Sequence, residues 1–187
     1  NVVKKEVITP SIMLQKAKKI ESSGKEIIHL ETGEPDFPPD SKILKAAKDA
    51  ISMGQTNYVD PIGIAPLREG IASQINMRYH INIAAEQVLI THGARFAIYL
   101  AIATNISPGG SVLFFEPAYP AYRQIVESFE SRPIAISTRL ENAWTPDVDT
   151  VEDLFDDQPD IMILNSPSNP TGKSLSDDIL NQLIKIA

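Results

Sequence analysis

Cysteine is missing from this sequence of 187 residues, and aromatic residues make up 6% of it, with a single tryptophan. The lack of cysteine excludes a disulfide framework and thiolate metal sites. The three histidines, His29, His80 and His92, are too scattered to suggest a metal site. Lysine and arginine form no cluster and the formal net charge is -7, so we do not expect a surface for nucleic acid or for an anionic membrane.

Long apolar runs are also missing. None approaches the roughly 20 residues that a membrane-spanning helix needs, and the segment Asn1–Glu6 has no apolar core of the signal-peptide kind. We therefore expect a cytoplasmic protein. What is present is ordinary for a globular domain with a sizeable core, because 43% of the residues are hydrophobic and 22% are charged.

From Val88 onwards, strand-like and helix-like apolar patterns alternate along the chain. Strands are predicted at residues 88–91, 112–115, 134–136 and 161–164, and helical segments at residues 96–106, 122–129 and 146–155. Such alternation is typical of an α/β fold, in which a parallel sheet is connected by crossover helices.

The two ends of the sequence have a simpler pattern. Before Val88 the periodicity predicts a helix at 12–20, a short strand at 27–30, a helix capped by Ser41 and a helix that begins near Pro66, with Leu67, Ile71 and Ile75 facing inward. A last helix, capped by Ser176, meets no stop signal before Ala187. Because of this, and because the first residue is Asn, we expect the sequence to be a fragment of a longer chain.

The segment Asn165–Gly172 is a polar turn that directly follows the apolar run Ile161–Leu164. In open α/β sheets, ligands bind outside the carboxyl ends of the strands, so Asn169 is expected to project into a site. Pro170 favours an extended conformation at Asn169, and Gly172 permits dihedral angles that other residues resist. An ordinary Pro/Asn turn is the alternative interpretation.

This loop resembles the Asn-Pro-Thr-Gly motif of the class I/II aminotransferases, which are pyridoxal-phosphate enzymes of fold type I. Further segments resemble the same family in the same order: Glu31–Phe37, then Thr56–Tyr58 with Gly63 and Leu67–Arg68, then Thr91–Arg95 with Glu116–Tyr119. Together they cover most of the chain. The resemblance implies a three-layer αβα fold with a mostly parallel sheet, of which this chain holds the incomplete first half of the large domain.

Two segments and one activity follow from the same resemblance. Residues 1–35 are expected to form an N-terminal arm or small-domain segment, and residues 36–187 the first part of the large domain that binds pyridoxal 5'-phosphate. The implied activity is transfer of an amino group between an amino acid and a 2-oxo acid in amino-acid metabolism. The family also implies a homodimer, in which Tyr58 reaches the phosphate in the neighbouring subunit's site.

The phosphate of the cofactor is expected to bind at the turn Gly93, Ala94 and Arg95. A glycine between a strand and a helix leaves backbone N–H groups unpaired at the positive end of the helix dipole, which suits an anion. The Arg95 side chain either adds a charge-assisted contact or faces solvent. Many members of the family have a hydroxyl side chain in this turn, and Ala94 departs from that pattern.

The remaining binding residues are carried over from the family motifs. Tyr119 is expected to stack on the pyridine ring of the cofactor. The Asn169 side-chain amide is expected to donate to the phenolic oxygen of the cofactor, and the Gly33 backbone to lie against the substrate carboxylate. No metal is expected.

Four other residues have structural interpretations. Pro117 and Pro170 are candidates for cis peptide bonds. Tyr122 is predicted to belong to the core or to the rim of the site. Arg68 is interpreted as a structural ion-pair residue.

Catalytic residues are not predicted in this chain, because no lysine stands in the family's Schiff-base motif and only fifteen residues follow Gly172. Lys173 is interpreted as a solvated lysine. The chain alone is therefore predicted to be inactive. Two alternatives stay open: another fold type I enzyme, such as a carbon–sulfur lyase, a decarboxylase or an aminocyclopropane-carboxylate synthase, and a non-catalytic module that binds phosphate or the cofactor.

Overall fold

The computed structural model describes residues 10–155 and 158–187. Its backbone contacts divide the chain into two compact units, residues 1–59 and residues 60–187. The segment boundary expected between residues 35 and 36 stays a prediction.

The first unit contains two helices, α1 (Pro10–Glu21) and α2 (Ser41–Ser52). The N-cap of α2 is Asp40, whose carboxylate accepts the Lys42 N–H at 2.8 Å, so the cap predicted at Ser41 is wrong by one residue. The strand predicted at 27–30 is also wrong, since these residues join no sheet within the described part of the chain. His29 lies between the carboxylates of Glu21 and Glu31, at 2.9 and 2.7 Å.

The second unit contains the sheet. Its elements, in chain order, are α3 (Ala65–Tyr79), a 3₁₀ turn (Ala85–Gln87), α4 (Ala94–Asn105), β1 (Ser111–Glu116), α5 (Ala121–Ser128), β2 (Arg132–Ser137), a 3₁₀ turn (Leu140–Asn142), α6 (Val148–Phe155), β3 (Ile161–Met162) and α7 (Asp177–Ile186). The order confirms the alternation of strands and helices that the sequence predicts from β1 onwards.

The sheet of the described residues has three parallel strands in the order β2-β1-β3. Leu113 of β1 stands opposite Ile134 of β2 and Met162 of β3. Among these residues, the strand predicted at 88–91 has no ladder. Its Ile90 N–H donates instead to the Ile62 carbonyl at 3.0 Å, and the segment forms no strand of the sheet.

Helices cover both faces of the sheet. On one face, Val112 packs with Ile102 of α4 and with Ile125 and Val126 of α5. On the other face, Leu113 packs with the helices α6 and α7, and the side chains of Val151 and Leu183 are completely buried there. Neighbouring residues of a strand point to opposite faces, so one buried strand supplies both apolar layers. The fold is therefore a three-layer αβα sandwich, as expected.

Helix α3 differs from its predicted packing. Leu67 is exposed, and the buried residues of α3 are Arg68 and Ala72. Arg68 donates from Nε to the Gly63 carbonyl at 3.0 Å and from Nη1 to the Ala85 carbonyl at 3.1 Å. Arg68 is structural, but its recorded partners are backbone carbonyls and not the ion pair that the sequence suggests.

Candidate functional site

The three parallel strands end at one edge of the sheet, and a cleft opens there between the segments that follow them. Pro117 and Ala118 follow β1, Thr138 follows β2, and Asn165 and Asn169 follow β3. The cleft is completed by Tyr122, Trp144, Pro146, Ser168, Thr171, Lys173 and Leu175, together with apolar side chains of the sheet. This is the edge at which ligands bind in open α/β sheets.

Hydrogen bonds within the loop Asn165–Gly172 fix its shape. The Ser168 N–H donates to the Lys173 carbonyl and the Gly172 N–H donates to the Ser168 carbonyl, both at 2.8 Å. The peptide bonds before Pro117 and Pro170 are cis, as predicted from the sequence, and the bond before Pro167 is cis as well. The loop is therefore an ordered platform at the end of β3.

The two asparagines of this loop differ in how their side chains are used. Both halves of the Asn165 amide are bonded inside the loop, since Oδ1 accepts the Asn169 N–H at 2.9 Å and Nδ2 donates to the Pro167 carbonyl at 3.0 Å. The Asn169 side chain is exposed and has no hydrogen-bond partner among the described residues. Asn169 therefore has a side-chain donor and acceptor available to a ligand, and Asn165 does not; the contact of Asn169 with a cofactor stays a prediction.

The turn at Gly93 leaves two backbone donors unused. Gly93 has φ 83°, in the left-handed region that favours glycine, and it is the N-cap of α4. The Phe96 N–H donates to the Gly93 carbonyl at 3.2 Å. The N–H groups of Ala94 and Arg95 have no acceptor within the described residues, so they are free at the positive end of the α4 dipole.

The direction of α4 locates this turn at the same edge of the sheet as the cleft. Just after α4 ends, the Ser107 N–H donates to Asp160, which also accepts the N–H of Ser111, the first residue of β1. The carboxyl end of α4 therefore lies at the amino edge of the sheet. Twelve residues of helix span about 18 Å, which brings Gly93 to the opposite, carboxyl edge.

The Arg95 side chain is tied to the neighbouring helix. Its guanidinium donates to Gln124 Oε1, in the first half of α5, at 2.9 Å. Arg95 and Gln124 line a groove with His92, Phe96, Tyr99 and Ser128, separate from the cleft that contains Asn169. This contact gives the Arg95 side chain a partner within the protein, whereas the backbone donor of Arg95 stays free.

Along the chain, Tyr119 lies between Ala118, which lines the cleft, and Gln124, which lines this groove. Its ring is half-buried and meets the ring of Tyr122 edge to face, with centroids 5.7 Å apart. Tyr122 is 7% exposed and also packs edge to face against Phe114. Burial of Tyr122, with the proximity of Tyr119, raises the pKa of its phenol, so this phenol stays neutral. Tyr122 thus belongs to the core and orients Tyr119.

A set of bonds around Glu116 holds the end of β1. The Glu116 carbonyl accepts from both the N–H and the hydroxyl of Thr138, at 2.7 and 2.8 Å. Its carboxylate accepts from Arg123 Nη2 at 2.8 Å, and the Arg123 guanidinium lies over the Phe114 ring. These contacts fix the point at which the chain leaves β1 toward Tyr119.

Several lining residues of the cleft are not predicted from the sequence. Trp144 lies there with φ 57°, directly after Ala143 with φ 48°, and no glycine marks this left-handed pair. Thr138 is positioned by its bonds to Glu116, which depend on the pairing of β1 with β2. Lys173, interpreted above as solvated, is half-buried and lines the cleft beside Asn169.

Two further predicted residues lie in the first unit. Tyr58 is fully exposed. A Cβ atom added to Gly33 would meet nothing within 4 Å. The roles of Tyr58 at a neighbouring subunit and of Gly33 at a substrate carboxylate stay predictions.

Comparison with known proteins assigns the chain to a family. The sequence profile described as "Aminotransferase class I and II" matches residues 25–187. The chain belongs to the class I and II aminotransferases. As a member of this family, it is 34% identical over 166 residues to the aspartate aminotransferase of Sulfolobus acidocaldarius, covering 88% of this chain and 42% of that protein. It is 35% identical over 152 residues to an arginine–pyruvate transaminase of Pseudomonas aeruginosa, covering 81% and 39%.

Solved aminotransferase structures share its fold. The aspartate aminotransferase of Thermotoga maritima superposes with a TM-score of 0.90 at 32% identity, covering 96% of this chain and 48% of that one. The enzyme of Thermus thermophilus, solved with maleate, has a TM-score of 0.91 at 26% identity and covers 97% and 48%. This class I and II aminotransferase chain thus spans slightly less than half the length of the curated relatives it matches.

No helix in residues 10–155 and 158–187 is long and apolar enough to cross a bilayer. Within the same residues, no group of three or more histidine, aspartate or glutamate side chains is arranged to hold a metal ion.

Proposed function

We propose that this chain binds pyridoxal 5'-phosphate at the carboxyl edge of the sheet. The observation that carries the proposal is that the unpaired Asn169 amide and the unpaired N–H groups of Ala94 and Arg95 lie at the same edge. The donors suit the cofactor, because a phosphate dianion favours backbone N–H groups at a helix N-terminus, and an anionic ring oxygen favours a free amide donor. Family membership supports the same ligand.

Each residue would have a separate task in holding this cofactor. The backbone from Gly93 to Arg95 would bind the phosphate, with the α4 dipole adding favourable electrostatics. The Tyr119 ring, oriented by Tyr122, would pack on the planar ring of the cofactor. The Asn169 amide would donate to its phenolic oxygen and favour the ionised form of that oxygen.

We further propose that the full-length protein is an aminotransferase that acts on an amino acid and a 2-oxo acid. When bound, pyridoxal phosphate supplies an electron sink for the bond that breaks at the amino acid's α-carbon. The activities for which the relatives are named, those of an aspartate aminotransferase and an arginine–pyruvate transaminase, favour transamination over the lyase, decarboxylase and non-catalytic alternatives.

The proton transfer that transamination requires needs a general base within hydrogen-bonding reach of the substrate. Lys173 lines the cleft but is outside the family's lysine motif, and we assign it no catalytic role. We therefore propose that residues 1–187 bind the cofactor without turning over substrate. The homodimer with Tyr58 at the neighbouring site, the contact of Gly33 with substrate and the cytoplasmic location belong to the same proposal.

Binding is tested on the cofactor-free protein of full natural length, by titration with pyridoxal phosphate and with pyridoxal, followed by cofactor absorbance. We expect pyridoxal, which lacks the phosphate, to bind at least tenfold more weakly. A hydrogen bond to a charged group contributes about 1.5–3 kcal/mol, so Asn169→Ala should weaken the binding of pyridoxal phosphate roughly 10- to 150-fold. The exposed Asn181 of α7 gives the matched control, and Asn181→Ala should bind as the wild type does.

Two results would contradict the proposal. One is the absence of saturable binding by the wild type. The other is equal affinity for pyridoxal phosphate and pyridoxal, which would refute the proposed binding of the phosphate at Gly93. Transamination is tested separately, with amino-acid donors and 2-oxo acid acceptors. Turnover is expected from the full-length protein and not from residues 1–187 alone, and turnover by those residues alone would refute the argument from the missing lysine.

A further inference from the structure

We propose that Asn165 is a positioning residue, whose side-chain amide holds the backbone of Asn169 so that the Asn169 side chain faces the ligand. The inference rests on the proposed cofactor site, and it concerns a residue whose side-chain amide is already bonded at both groups within the loop. Both asparagines line the cleft after β3, but Asn165 is half-buried with its amide bonded inside the loop, whereas Asn169 is exposed.

The geometry of Asn165 is that of a brace across the loop. Its Oδ1 accepts the Asn169 N–H at 2.9 Å, and its Nδ2 donates to the Pro167 carbonyl at 3.0 Å. One side chain therefore bonds the backbone on both sides of Ser168. Fixing the Asn169 N–H fixes the orientation of its peptide plane, and with it the direction in which the Asn169 side chain leaves the loop.

Only an amide of this length supplies both bonds. An aspartate at position 165 would keep an acceptor for the Asn169 N–H, but it would lose the donor and set a carboxylate against the Pro167 carbonyl. An alanine would supply neither group. These two substitutions therefore separate the bond to Asn169 from the bond to Pro167.

The rest of the loop has its own bonds, so loss of the brace should not unfold it. The Ser168 N–H still donates to the Lys173 carbonyl at 2.8 Å, and the Leu175 N–H still donates to the Ser166 hydroxyl at 3.0 Å. The expected effect is a wider range of orientations at Asn169. A ligand that selects one orientation then binds more weakly, in proportion to the fraction of molecules that hold it.

The first measurement is hydrogen exchange of backbone amides in the cofactor-free, full-length protein. One net hydrogen bond changes an equilibrium constant roughly fivefold, so Asn165→Ala should speed exchange of the Asn169 amide about fivefold. Asn165→Asp should retain most of the protection. The Leu180 amide, which donates to the Ser176 carbonyl at 3.0 Å and shares no peptide group with these bonds, is the internal reference and should exchange equally in all three proteins. Unchanged Asn169 exchange in Asn165→Ala would overturn the proposal.

The second measurement is the affinity for pyridoxal phosphate in a double-mutant cycle. Asn165→Ala removes two bonds and should weaken binding about 5- to 25-fold when Asn169 is present. In an Asn169→Ala background it should have almost no further effect, because no side chain is left to be oriented. Equal weakening in both backgrounds would overturn the positioning role.

Failure of this inference can be distinguished from failure of the proposed function. If the wild-type protein does not bind pyridoxal phosphate but the exchange of the Asn169 amide responds as expected, the brace stands and the cofactor assignment fails. If the wild type binds the cofactor and Asn169 exchange is unchanged in Asn165→Ala, the cofactor assignment stands and the brace is refuted.

Discussion

Replacement of Leu183 by alanine tests whether α7 anchors the far end of the Asn165–Gly172 loop. Leu183 has no exposed surface and packs in the cluster that contains Leu113 and Val151. Helix α7 begins just after the loop, with Ser176 as its N-cap. The loop is thus held between β3 on one side and the buried face of α7 on the other.

The expected loss of stability follows from burial. Leu183→Ala removes three carbon groups from a site that excludes water, and each is worth about 0.8 kcal/mol of transfer free energy. The cavity left behind adds to this, so we expect the free energy of unfolding to fall by about 3–4 kcal/mol. The neighbouring Ile184 is 61% exposed, and Ile184→Ala should cost less than about 0.5 kcal/mol.

Urea unfolding followed by circular dichroism measures both variants, with the midpoint and the slope fitted together. If Leu183→Ala lowers the free energy of unfolding no more than Ile184→Ala does, the packing of α7 on the sheet is refuted. A further readout is hydrogen exchange in the loop, which should become faster in Leu183→Ala and stay unchanged in Ile184→Ala.

Two other predictions concern stability. Hydrogen bonds from the Ser107 side chain, and next from the Ser111 N–H, lower the pKa of the Asp160 carboxyl. These bonds therefore stabilise the folded protein fully above about pH 4, the pKa of an unfolded aspartate. This stabilisation is lost as the pH falls through the lower pKa that Asp160 has in the folded protein. Asp160→Asn should be less stable than wild type at pH 7 in a urea titration, and a difference that does not shrink below pH 4 would contradict this. Ala143 has a left-handed backbone, so Ala143→Gly should raise the free energy of unfolding by up to about 1 kcal/mol. The matched substitution Ala47→Gly within α2 should lower the free energy of unfolding by about 1 kcal/mol. Thermal melts in which both variants shift the melting temperature in the same direction would refute this.

The sequence predicts much of the second unit, because apolar runs there coincide with paired strands. The runs around Leu113, Ile134 and Ile161 all form strands of the sheet. The run at Val88–Thr91 is similarly apolar, yet within the described residues it joins no strand of the sheet. Apolar periodicity reports which side chains avoid water, whereas a strand also needs a neighbouring backbone.

The candidate site is predicted less completely. Gly93 and Asn169 stand in recognisable turns, so their positions follow from local sequence. The bracing role of Asn165 depends on a loop that closes on itself, and the position of Trp144 depends on a left-handed backbone without glycine. Local residue preferences predict neither the bonds of Asn165 nor the position of Trp144.

The anion site proposed at Gly93 uses no side-chain atom as a donor. The N–H groups of Ala94 and Arg95 are present whatever amino acid other than proline occupies these positions. Replacement of Arg95 by alanine would therefore leave both donors in place, whereas replacement of Gly93, with φ 83°, would strain the backbone that presents them. A donor of this turn can be removed by chemical synthesis, in which an ester bond replaces a single peptide bond and an oxygen atom stands in place of the N–H.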